Sequence, residues 1–201
     1  MQISEIFRSI QGEGREQGRI TTFIRSAGCN LRCRWCDTRY AWDGGTEMDI
    51  PGILERVEAL GCRRICVTGG EPLLQDDLPL LVETLFKGGY AVGIETNGTL
   101  DFAHLQPYAA ICMDVKCPSS GEESDLSLLA RITARDSVKF VVGGRADLAY
   151  AEGVIARYPI AGEVFVSPVF GSDYAEIAAY ILEHDLPVRL QLQLHRIIGV
   201  R

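Results

Sequence analysis

From Arg64 onward the chain repeats one pattern: a short apolar run, a glycine or polar stop, then a longer amphipathic stretch. The runs Arg64–Thr68, Ala91–Thr96, Ala110–Val115, Ser137–Val142, Glu163–Val166 and Val188–Gln193 read as strands, joined upstream by Ile3–Phe7 and Thr22–Gly28. Between them fit helices at Leu78–Phe86, Leu126–Thr133, Ala146–Arg157 and Tyr174–His184, and a short one near Phe102–Leu105. An earlier helix starts at Asp49-Ile50-Pro51, shows an apolar face of Ile53, Leu54, Val57 and Leu60, and stops at Gly61. Alternation of this kind predicts right-handed βαβ units on a parallel sheet. A closed eight-unit barrel takes about 250 residues, and this chain has 201 without a linker or internal repeat. The fold class predicted is therefore α/β: an incomplete, splayed TIM-like barrel with parallel strands, one domain over residues 1–201. In such folds the reactive groups gather at the carboxyl ends of strands, so Cys29–Cys36, Thr68–Glu71, Glu95–Gly98 and Asp114–Lys116 should face one mouth.

Three cysteines, Cys29, Cys33 and Cys36, fall in the loop after the second of these strands. Thiolates suit iron–sulfur clusters, zinc or copper(I). A closed site takes four protein ligands, so three leave one metal position open. Their i, i+4, i+7 spacing also fits buried cysteines on one helix face, and a zinc knuckle is a further alternative; Gly28 and the intervening Asn30, Arg32 and Arg34 argue against the helix.

Gly69-Gly70-Glu71-Pro72 follows a strand directly. Its glycines admit close approach to the backbone, and its carboxylate suits an ammonium group; alone it reads equally as a turn with an exposed Glu. Gln11-Gly12-Glu13-Gly14 reads as a tight turn, Glu95-Thr96-Asn97-Gly98 as a strand end with an Asn-Gly turn, and Asp114/Lys116 as a charged pair in the site or on the surface. Cys66 and Cys112 sit in apolar runs and read as core residues, and His195 falls on an alternating strand, Gln191–His195, as either a pocket residue or an exposed one.

A formal charge of −7 argues against a nucleic-acid surface. The N-terminus lacks a basic start with an apolar core, and no run approaches the ~20 apolar residues needed to cross a bilayer. Seven cysteines in such a chain fit a reducing, cytoplasmic setting.

The spacing CxxxCxxC with an aromatic before the third cysteine, followed one βα unit later by Gly-Gly-Glu, resembles the radical S-adenosylmethionine (SAM) superfamily. The resemblance implies a [4Fe–4S] cluster on Cys29, Cys33 and Cys36, with SAM completing the fourth iron. The wider pattern is Gln11–Gly14, Arg25, Cys33-Arg34-Trp35-Cys36-Asp37-Thr38, Trp42-Asp43, Thr68–Leu73 and His195. Over nearly the whole length it is similar to the 7-carboxy-7-deazaguanine synthase family. That likeness implies a carbon–nitrogen lyase that contracts 6-carboxy-5,6,7,8-tetrahydropterin with loss of ammonia in deazapurine (queuosine) biosynthesis, using SAM, the cluster and Mg²⁺. It further implies a homodimer and an electron donor such as flavodoxin or ferredoxin.

Carried over by residue, it places Trp35, Cys36, Asp37, Gly70, Glu71, Asp114, Val115 and Lys116 at SAM, Thr38 at Mg²⁺, and Ile10, Gln11, Gly12, Arg25 and Thr68 at the pterin. Asp114-Val115 stands where the family often has Ser-Pro, and Ser167-Pro168 where it often has Gln-Pro, which puts those contacts in doubt. The chain ends on Arg201 where some members carry proline, and a substrate contact there is left open. Rival readings are a glycyl-radical-enzyme activase and a non-catalytic iron–sulfur or zinc module.

Overall fold

In the computed structural model, which describes residues 1–200, one nine-stranded sheet runs in the order β3-β1-β2-β4-β5-β6-β7-β8-β9. Its strands are β1 (Gln2–Ile10), β2 (Ile20–Ser26), β3 (Thr46–Glu47), β4 (Arg64–Gly69), β5 (Ala91–Thr96), β6 (Ala110–Val115), β7 (Ser137–Val142), β8 (Glu163–Pro168) and β9 (Arg189–Leu190). From β2 to β9 every neighbouring pair is parallel, while β1 pairs antiparallel with both β2 and β3. The sheet does not close: β3 and β9 are its two edges. Arg201 lies outside the described residues.

Period-two alternation divides the strand residues between two environments. Ile24, Val67, Ile94, Ile111, Met113, Val115, Phe140 and Val166 join the main core, packed with residues of the helices α1 (Ile50–Leu60), α2 (Leu78–Lys87), α3 (Arg145–Arg157) and α4 (Tyr174–Glu183). The intervening Arg25, Thr68, Glu95, Cys112, Asp114 and Lys139 line the concave side. The helix signals work as expected at α1, where Asp49 accepts from the Gly52 amide at 3.0 Å and Gly61 closes the helix at φ 64°.

Three local expectations need correction. Residues Leu126–Arg131 form a 3₁₀ helix rather than an α-helix: the apolar positions Leu126, Leu129 and Ile132 recur every third residue, which is the 3₁₀ period. The short helix expected near Phe102–Leu105 is present as a single 3₁₀ turn, Ala103–Leu105. The strand expected over Val188–Gln193 shrinks to β9, because Pro168 on β8 has no amide to donate and pairing stops at Val166↔Leu190. His195 therefore lies not on a strand but on the short α5 (Leu194–Ile198), and the brief β3 had no sequence signal. No described helix is long and apolar enough to cross a membrane.

Candidate active site

A cavity of about 400 Å³ opens at the carboxyl ends of the parallel strands, within the size range of small-molecule sites. Its wall brings together Cys29, Cys33, Cys36, Trp35, Asp37, Thr38, Gly70, Asp114 and Lys116 with Ile10, Gln11, Gly12, Arg25 and Thr68. Residues spread over more than a hundred positions thus meet at one mouth, as the strand-end rule requires.

Backbone bonds to two neighbouring segments and one within the loop hold the cysteines. The Cys29 amide donates to the Trp42 carbonyl (3.2 Å), Arg34 to Ser120 (2.9 Å) and Cys36 to Cys33 (3.2 Å). All three cysteines are free. Burial raises the Cys29 thiol and pushes Cys33 up to about 11, with Lys116 opposing in both cases. Both thus favour the neutral thiol until a metal displaces the proton, which is a ligand's behaviour rather than a nucleophile's. Among the described residues no three His, Cys, Asp or Glu side chains, those of the cysteine loop included, form a preassembled ion site.

The Gly-Gly turn lies against this loop. A Cβ on Gly70 would sit 2.1 Å from the Gly28 carbonyl oxygen, and one on Gly69, at φ 146°, 2.3 Å from that of Ser26. Only glycine permits strand and loop to touch there.

Two side chains expected at SAM lie off the cavity wall. Val115 is buried in the core, because alternation on β6 turns Asp114 and Lys116 toward the cavity and Val115 away. Glu71 is fully buried and absent from the cavity wall. Its carboxylate accepts from the amides of Asn97 (2.6 Å) and Leu73 (3.0 Å) and from the Thr96 hydroxyl (2.9 Å). Burial raises this carboxyl above its usual range despite those three donors. Asn97 in turn donates to Asn30 in the cysteine loop (2.9 Å), so Glu71 ties the Gly-Gly turn and the β5 end to that loop.

Charge is concentrated on the cavity's inner side. Lys116 Nζ lies 2.8 Å from Asp114 Oδ2 and 5.5 Å from the Trp35 ring centroid. Asp114 Oδ1 is buried without any hydrogen-bond partner; an orphaned carboxylate oxygen beside an open cavity is what a bound polar group would satisfy. Together with three thiols lacking a fourth, it makes a wall that fits a cluster carrying a polar cofactor. Arg25 is steadied by Glu5 at 2.9 Å and lies over the rings of Phe7 and Tyr40 at 5.7 and 5.9 Å.

Glu95 lines the mouth as the strand-end rule expects, whereas sequence reasoning missed Lys139 and Arg196 and gave Glu13 no partner. Glu95 accepts from Gln11 (3.3 Å) and Thr68 (3.1 Å). Glu13 pairs with Lys139 at 3.0 Å and accepts from Ser167 (3.1 Å) and Gln193 (3.4 Å). Cys112 faces the cavity rather than the core; of its two alternatives His195 takes the pocket place, and Arg196 lines the cavity beside it on α5. Polar residues alternating with apolar ones on parallel strands were the available signal for Lys139, since a doubly covered parallel strand reads as continuously apolar.

Comparison with known proteins identifies the family. Residues 23–116 match the radical SAM superfamily. A 7-carboxy-7-deazaguanine synthase from Methanospirillum hungatei is 51% identical over 201 residues, covering 100% of this chain and 86% of the relative. Another from Chlorobaculum tepidum is 40% identical, covering 98% and 94%. The crystal structure of QueE from Escherichia coli superposes with a TM-score of 0.78 at 27% identity, covering 96% of this chain and 94% of that one. The SAM-bound SuiB structure from Streptococcus suis, at 14% identity and TM-score 0.54, shares the fold. The chain is a radical SAM enzyme, with SAM and a [4Fe–4S] cluster as its cofactors, and it belongs to the 7-carboxy-7-deazaguanine synthase family.

Proposed function

We propose that this chain, acting as one domain, contracts 6-carboxy-5,6,7,8-tetrahydropterin to 7-carboxy-7-deazaguanine and releases ammonia. The observation that carries this reading is that a single cavity is walled by Cys29, Cys33 and Cys36 and also by Gln11, Gly12, Arg25, Thr68 and Glu95. When bound, SAM and the reduced cluster supply a hydrogen-abstracting radical at the substrate carbon that carries the carboxylate.

The chain's own residues bind and orient. Cys29, Cys33 and Cys36 hold the cluster, while Trp35, Cys36, Asp37, the Gly70 backbone, Asp114 and Lys116 receive SAM. The Val115 side chain is excluded from that set by its burial, and Glu71 acts through Asn97. Arg25, already fixed by Glu5, presents a planar cation to the substrate carboxylate. Glu95, braced by Gln11 and Thr68, accepts from the amino-pyrimidinone edge, with Ile10 and Gly12 packing the ring. Thr38, whose hydroxyl donates to Asp37 at 2.8 Å, would hold Mg²⁺ through that hard oxygen, and the ion would supply charge stabilisation for the substrate carboxylate. The same reading takes flavodoxin or ferredoxin as electron donor, a homodimer as the working unit and the cytoplasm as its location.

The test is anaerobic reconstitution with iron and sulfide, then incubation with SAM, reductant and the carboxypterin, with and without Mg²⁺. The expected result is the deazaguanine chromophore with one ammonia per product. A cluster-loaded protein that cleaves SAM yet leaves the pterin intact would overturn it.

A further inference from the structure

The innermost wall of the site carries a buried ion pair that binding alone does not require. Glu13, on the turn after β1, and Lys139, on β7, are 12% and 7% exposed and 3.0 Å apart. Taking two charges out of water usually costs as much as their attraction returns, and apolar residues of similar volume often pack there at no loss. Both groups line the site, and Glu13 also lines a second cavity of about 500 Å³ toward the other end of the strands. Lys139 further faces Asp114 at 4.0 Å, and its charge is favoured by Glu95; Glu13 faces the charges of His195 and Asp37.

Resting on the function proposed above, the chemistry has a step that hydrogen-atom transfer does not perform. Losing ammonia breaks a C–H bond, whose electrons form a C=C bond, and a C–N bond, whose electron pair leaves with nitrogen. One proton must go to a base, and one must come to the departing amine. We propose that Glu13 and Lys139 form the proton relay of ammonia loss. Glu13 takes the carbon-bound proton, Lys139 protonates the leaving nitrogen, and the proton then passes from Glu13 to Lys139 across their hydrogen bond. The pair ends as it began, and no outside acid or base is consumed.

The test uses the reconstituted enzyme and substrate deuterated at the carbon bearing the carboxylate. It compares the parent with Lys139→Ala and with the double variant Glu13→Gln/Lys139→Met, which leaves no buried charge unpaired. The family likeness implies that SAM is regenerated at each turnover, so deuterium entering recovered SAM reports the radical step; product and ammonia report elimination; fluorescence titration with 6-carboxypterin reports binding without the cluster. In both variants we expect label transfer and binding to stay within about threefold of the parent. Product should fall by about a hundredfold or more, the usual size of a general acid–base contribution. Methylammonium and related amines should restore product in Lys139→Ala in the order of their acidity. Overturning results are product formation persisting in the double variant, label transfer falling in step with product, or a binding loss that accounts for the whole effect and makes Lys139 a carboxylate anchor. A parent enzyme that transfers no label would instead refute the function itself.

Discussion

At the scale of single residues, Glu71 shows how a motif residue serves a site it does not face. One backbone amide points at each of its two oxygens, Leu73 at Oε1 and Asn97 at Oε2, and neither can accept a hydrogen bond. A glutamine is nearly isosteric but sets its NH₂ against one of those amides whichever way it is turned. Glu71→Gln should therefore cost about 1–3 kcal/mol, the penalty for buried donors left without an acceptor. Because Asn97 bridges Glu71 to Asn30, the cysteine loop should loosen as well. Urea unfolding of the cluster-free chain checks the first effect, and iron bound per chain after reconstitution checks the second. Unchanged values in both would mean that the carboxylate is not the tie between turn and loop.

The elements separate what the sequence could disclose from what it could not. The parallel strands and the capped helices were legible because each carries a local signal: Asp49 and Pro51 before α1, Gly61 after it, apolar runs ending on glycine. The three cysteines and the Gly-Gly turn were legible for the same reason. Glu13 was not, since its meaning comes from Lys139, 126 positions away. Nor was α5, because the alternation in Gln191–His195 imitates a strand while Gln191 instead exchanges hydrogen bonds with Gly14 at 2.6 and 3.0 Å. That C-terminal stretch seats on the Gln11–Gly14 turn, where the Leu194 amide donates to the Gly12 carbonyl at 3.1 Å. A Cβ on Gly12 would lie 1.9 Å from His195 Nδ1. Gly12→Ala should thus push α5 away from the mouth and raise KM for the carboxypterin about tenfold, or about 1.4 kcal/mol. Iron content should not change. Steady-state kinetics against pterin concentration would reveal it, and an unaltered KM would mean that His195 swings aside without cost.

For the molecule as a whole, the Glu13–Lys139 pair is a staple as well as a candidate relay. It joins the turn after the first strand to β7, and Ser167 on β8 and Gln193 before α5 bind the same carboxylate. The first and last parts of the chain therefore meet at one buried charge, and removing one member should hurt far more than removing both. Glu13→Gln alone strands the Lys139 ammonium and should cost about 3–5 kcal/mol, whereas Glu13→Gln/Lys139→Met should be close to neutral at pH 7. The pH dependence has a definite sign. Burial alone would raise the Glu13 carboxyl, but Lys139, through charge and hydrogen bond, and His195 hold it below its ordinary value of 4.5. Its contribution is thus complete above that value and is lost as the pH falls through the folded one, where the unfolded chain takes up a proton the folded chain refuses. The parent should lose stability faster than the double variant as the pH drops from about 5 to about 3. Urea titrations across that window would measure the two slopes, and parallel slopes would show that Glu13 titrates in the fold as it does in the open chain.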